Sequence, residues 1–77
     1  MKWKEILRKD KYALLQSESD TQYVVVSGYD PTQPEDQQWS HGTYFTYFHN
    51  NFKKMLYLQS AYDCFMGKVN ADYIPRC

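Results

Sequence analysis

Gln22 to Tyr29, the stretch QYVVVSGY, decides the fold of this 77-residue chain. Three consecutive β-branched valines lose side-chain freedom in a helix and pack well on a pleated surface, so the stretch predicts a strand. Turn-forming residues bound it on both sides: Ser17-Glu-Ser-Asp20 before it, and DPTQPEDQQ (30–38), with two prolines, after it. Gly28 leaves room there for a bulge or for close approach of a covering element.

Outward from this strand the pattern repeats. KYALLQSE (11–18) is apolar in its middle and predicts a strand that runs into the Ser-Glu-Ser-Asp turn, and Trp39 to Phe48 predicts another, rich in aromatics. Asn50 or Asn51 then offers a side-chain oxygen to cap a helix. Along that helix Met55, Leu58, Tyr62, Phe65, Met66 and Val69 share one stripe, widened by Phe52 and Leu56, with Lys53, Ser60, Cys64 and Lys68 opposite. The helix is expected to run to about Met66, with Gly67 as the residue just past its end. At the other terminus Trp3, Ile6 and Leu7 fall at helical spacing and predict a short helix over residues 2–9.

The expected fold is therefore α+β: a short N-terminal helix, a three-stranded antiparallel β-meander, and a long amphipathic helix packed on one face. Its core would hold Val24, Val26, Met55, Leu58, Tyr62 and Phe65. Seventy-seven residues suit one small domain, 1–77, which buries only about 60% of its unfolded surface. The tail NADYIPRC breaks off soon after Pro75, so a longer natural chain is left open. A content of 43% hydrophobic and 18% aromatic residues places the chain among folded rather than disordered sequences.

Charge sums to zero but is distributed in blocks. Residues 1–11 carry Lys2, Lys4, Arg8, Lys9 and Lys11 against Glu5 and Asp10; residues 12–52 carry only acids, Glu18, Asp20, Asp30, Glu35 and Asp36. Lys53, Lys54, Lys68 and Arg76 then outnumber Asp63 and Asp72. Charges interrupt the apolar residues of MKWKEILRKD, and no run is long enough for a signal peptide or membrane span, so a cytoplasmic domain without membrane contact is expected. Two cysteines, Cys64 and Cys77, do not make a secreted disulfide framework.

Catalytic and metal chemistry find little to use. His41, His49, Cys64 and Cys77 lack the paired spacing of metal ligands. Cys64, read on the solvated side of the helix beside Ser60 and Lys68, lacks a base and an orienting group. Three glycines form no phosphate loop, and Glu35 and Asp36 sit in a proline-bounded loop that holds carboxylates poorly. The expectation is a protein that is not an enzyme and takes no cofactor or metal.

Three strands followed by a helix, with His41-Gly-Thr-Tyr44 near the end of the third strand and Ala61-Tyr-Asp63 in the helix, resemble parts of known nucleic-acid-binding domains. Over roughly residues 11–66 the order resembles the DNA-binding domains of plant ethylene-response factors and the arm-binding domains of tyrosine recombinases. A helix-flanked meander is also similar to the double-stranded-RNA-binding domain. These resemblances imply nucleic-acid contacts, with Lys2, Lys4, Arg8, Lys9, Lys11, Lys53 and Lys54 as candidates. Those DNA-binding families carry the contacting cations on their strands, whereas the strands between Tyr12 and Phe52 have no lysine or arginine. The spacing between the two matching pieces is also longer here.

Aromatics on both faces of the strands point elsewhere. Tyr23, Val25 and Tyr29 alternate with Val24, Val26 and Gly28, so a helix covering one face leaves the other apolar. Either Trp3, Ile6 and Leu7 cover that second face, or it is an interface. The functional expectation is a small non-catalytic adaptor or regulatory module that binds protein, its own copy included. Its candidate interface is Trp3, Tyr23, Val25, Tyr29, Glu35 and Asp36, the two acids meeting the basic N-terminal segment of a second copy. A nucleic-acid-binding accessory domain is the alternative.

Overall fold

The computed structural model describes residues 3–70, except the side chain of Glu35; Lys2 and the tail 71–77 lie outside the described residues. Four strands run in order, β1 (Trp3–Lys9), β2 (Tyr12–Ser17), β3 (Gln22–Ser27) and β4 (His41–Thr46), followed by α1 (Asn51–Asn70). Each strand pairs antiparallel with its neighbours in sequence, giving a meander β1-β2-β3-β4. The α+β class is as expected, but the sheet has four strands rather than three.

The difference lies at the N-terminus, where the expected helix is strand β1. Glu5 pairs with Leu15 and Leu7 with Leu14, which leaves Ile6 as an extra residue in a β-bulge. A bulge resets the alternation of side chains: Trp3 and Glu5 share one face, Leu7 the other. Apolar residues at positions 3, 6 and 7 therefore mimic helical spacing while belonging to a bulged strand. Strand β4 is also shorter than the expected 39–48, and α1 passes through Gly67 to Asn70.

Local chemistry sets the turns. Asp10 takes a left-handed φ of 54° in the two-residue link between β1 and β2. Ser17, only 3% exposed, accepts from the amides of Thr21 (3.1 Å) and Gln22 (3.2 Å) and so organises the next turn. In the long β3–β4 link, Asp30 accepts from the Thr32 amide (3.0 Å) and hydroxyl (2.6 Å). These bonds hold its carboxyl below the usual aspartate range, the Thr32 hydroxyl contributing most.

The sheet separates two cores. Beneath α1 lie Leu14, Tyr23, Val25 and Tyr47, packed against Ala61, Cys64 and Phe65. On the opposite face Ala13, Leu15, Val24 and Val26 are covered by Trp3, Tyr29 and Trp39. Trp39 enters from the β3–β4 link and lies over Gly42, where an added Cβ would stand 3.1 Å from both Trp39 Nε1 and Val24 Cγ2. Trp3 meets it edge-on at 5.8 Å, and Tyr44 flanks Trp3 at 6.3 Å. Arg8 spans the Tyr29 ring at 5.4 Å, closing the group.

Val24 and Val26, expected under the helix, are thus buried on the other face. Met55, Leu58 and Tyr62, also expected in the core, are exposed, and only Phe65 of that helix set is buried. The helix is rotated by roughly a quarter-turn from the orientation its apolar stripe suggests. Its sheet-facing line is Lys54, Tyr57, Ala61, Cys64, Phe65 and Lys68. Bulky Tyr23 and Tyr47 already fill the space above the sheet, so small Ala61 and Cys64 seat the helix closely where larger side chains would be overpacked. Cys64, expected on the solvated side, is 5% exposed and is not a free thiol.

Candidate interaction surface

A polar clamp joins the N-terminal end of α1 to the β2–β3 turn. Tyr47 follows β4 and donates its hydroxyl to Asp20 Oδ1 at 2.6 Å, while Gln16 Nε2 donates to both Asp20 Oδ1 (2.9 Å) and the Tyr47 oxygen (3.1 Å). Lys54 comes from the first turn of α1, its Nζ 2.9 Å from Asp20 Oδ1 and 5.8 Å above the Tyr47 ring. Burial, then the bond to Asp20, pushes the Tyr47 hydroxyl well above the usual tyrosine range. The Tyr47 bond and then Lys54 hold the Asp20 carboxyl below its usual range, and the bond to Asp20 raises Lys54.

A depressed carboxylate gives stability that is present above its unfolded value of about 3.9 and lost as pH falls through its folded value. Asp20→Asn is therefore expected to lower stability near neutral pH and to flatten the loss of stability below about pH 4. Thermal melts of both proteins across the acid range check this; parallel acid limbs would place the titration elsewhere.

Between the clamp and the helix the chain makes an unusual turn. Phe48 (φ 48°) and His49 (φ 64°) are consecutive left-handed residues, a conformation that costs a bulky side chain appreciably. Amides of Tyr47 and Phe48 both donate to the Thr21 carbonyl, at 2.9 and 3.2 Å, and Asn50 caps the helix by accepting from the Lys53 amide at 3.0 Å. The turn leaves Phe48 77% exposed.

With Lys54 held on the sheet side, helical geometry sends positions 52, 55, 56 and 62 outward or to the flank. Phe52 is 78% exposed, Met55 75%, Leu56 53% and Tyr62 43%. With Phe48 they form an apolar surface at the start and outer side of α1. Gln59 lies among them, its amide donating to Asp63 at 3.1 Å. This is the largest departure from a polar exterior among the described residues.

The residues expected at an interface are divided by the sheet. Trp3 and Tyr29 meet on the second face, where Trp39 joins them. Tyr23 and Val25 lie beneath α1 at 2% and 0% exposed and present no surface. Asp36 is exposed in the single 3₁₀ turn Glu35–Gln37, and the Glu35 side chain lies outside the described residues. The candidate nucleic-acid contacts are scattered too: Arg8 shares a face with Ala13, Lys4 and Lys9 share the helix-bearing face with Gln16 and Tyr12, and Lys11 is in a turn. Lys53 is exposed, and Lys54 is committed to Asp20. Lys2 lies outside the described residues.

Among the described residues, no three histidines, cysteines or acids come together as a metal site. Among them, too, no helix is long and apolar enough to cross a membrane. Comparison with known protein families, curated proteins and solved structures gave no match.

Sequence reasoning assigned Met55 and Tyr62 to the core, with Phe52 and Leu56 widening the same stripe, because they are apolar and fall at helical spacing. The signal that would have found the surface was the second line, Lys54-Tyr57-Ala61-Phe65, which also repeats at helical spacing and carries a lysine that reaches an acid of the β2–β3 turn.

Proposed function

We propose that this domain is a non-catalytic protein-interaction module whose contact surface is the outer side of α1 together with Phe48. The observation that carries the reading is the exposure of Phe48 in the turn before α1 and of Phe52 and Met55 in its first turns, each 75% or more, beside the contact of Lys54 with Asp20. Contiguous exposed apolar side chains are unfavourable in water and mark association surfaces in small domains. A preformed helix keeps the ordering cost of binding low. Cations divided between both sheet faces and a turn offer no continuous track for a phosphate backbone, which favours protein over nucleic acid.

A photoreactive phenylalanine analogue in place of Phe52, in the full chain expressed in cells, tests the reading. The expected result is a covalent adduct with a polypeptide, lost when Phe48 and Met55 are both changed to serine. No polypeptide adduct, joined by submicromolar and steeply salt-dependent binding of oligonucleotides in fluorescence anisotropy, would replace it with the nucleic-acid reading.

A further inference from the structure

We infer that the occupant of the α1 surface is a second copy of this chain, packed helix against helix in antiparallel orientation about a two-fold axis near the level of Leu58. The inference rests on the protein-interaction reading above and names its partner.

Three observations support it. First, Phe52, Met55, Gln59, Tyr62, Met66 and Val69 follow one another at steps of 3, 4, 3, 4 and 3 residues, the spacing with which one helix lies along another. Met66 and Val69 also reach the inner core, so the seam is freest over its first half, where exposure is highest.

Second, the area is of the right size. At these exposures Phe52, Met55 and Tyr62 on the stripe, with Leu56 and Phe48 at its margin, together offer on the order of 500–700 Å² of surface per copy. A standard interface takes about 800 Å² from each partner, so this stripe and its polar margin suffice for a modest, reversible dimer.

Third, the charges are self-complementary in one orientation only. Exposed Asp63 borders the stripe, and exposed Lys53 lies on the same flank about 80° further round the helix, ten residues and about 15 Å away along the axis. In a parallel pair the two Lys53 lie at one level and the two Asp63 at another, on opposite sides of the seam, so neither lysine meets the other copy's aspartate. Antiparallel packing centred at Leu58 sets each Lys53 against the other copy's Asp63, and brings Phe52 of one copy near the level of Tyr62 of the other. A formal net charge of zero adds no long-range repulsion between copies.

Sedimentation equilibrium of the purified full chain from about 1 to 300 μM tests the inference, as standard reversible interfaces associate in this range. A monomer–dimer equilibrium is expected, and the exposed double variant Phe52→Ser/Met55→Ser, with circular dichroism unchanged, should remain monomeric. Lys53→Asp alone and Asp63→Lys alone should each weaken the dimer by about tenfold, and the two together should restore it. In a parallel dimer restoration would not occur, which would overturn the orientation. A strict monomer at 300 μM overturns the inference altogether.

The photo-crosslink separates this failure from failure of the underlying reading. An adduct of twice the chain mass supports the second copy. An adduct of any other intermolecular mass, with a monomeric purified chain, keeps the interaction module and overturns the dimer. A product confined to the monomer mass overturns both.

Discussion

Replacing Phe65 with alanine is expected to cost about 3–5 kcal/mol of unfolding free energy, while the same change at Tyr62, three residues earlier, should cost less than about 1 kcal/mol. Phe65 is 4% exposed and packs with Cys64 and Ala61 on Leu14, Tyr23 and Val25, so its removal leaves a cavity that a close-packed neighbourhood cannot refill. Tyr62 is 43% exposed and already half in water. Urea denaturation followed by tryptophan fluorescence measures both. Because Tyr62 lies on the proposed dimer contact, protomer concentration must be kept low and equal, or mass action would add an apparent loss. Equal large losses at a concentration where the chain is monomeric would mean that the helix faces the sheet with the other stripe.

Leu14→Ala and Leu15→Ala should each cost about 2–5 kcal/mol. Adjacent residues in a strand point to opposite faces, and in a sheet covered on one side only one of such a pair is expensive. Here Leu14 is 0% exposed under α1 and Leu15 1% exposed under Trp3 and Trp39. A loss of either size is severe for a domain whose whole stability is about 5–15 kcal/mol, so each variant should unfold at markedly lower urea. If Leu15→Ala were nearly neutral, the aromatic cover on the second face would not be closed in solution. The face would then be a surface, as the sequence alone allowed.

That second cover changes how the aromatics are understood. Tyrosines and tryptophans on both sides of the strands suggested surface left over for a partner. Instead Trp39 folds back across Gly42 and Trp3 arrives on the bulged β1, and the sheet becomes the middle layer of three. The leftover apolar surface sits on the helix, because a helix with apolar residues around most of its circumference can turn only one side to the sheet.

The sequence by itself determined β2, β3 and the helix: the valine run, the turn-forming acids and serines, and the Asn50 cap act through neighbours a few residues away. Tertiary structure alone decided that residues 3–9 form a strand. Their helical spacing and the bulge at Ile6 produce the same apolar pattern, and pairing with β2 provides backbone hydrogen bonds that two isolated helical turns could not match. It also decided which side of α1 is buried. Both stripes satisfy helical periodicity, and the buried one is that which sets small Ala61 against the tyrosines of the sheet and brings Lys54 to Asp20, 34 residues away. Contacts of that range leave no local periodic trace, because the chemistry that selects one face lies in residues brought near only by folding.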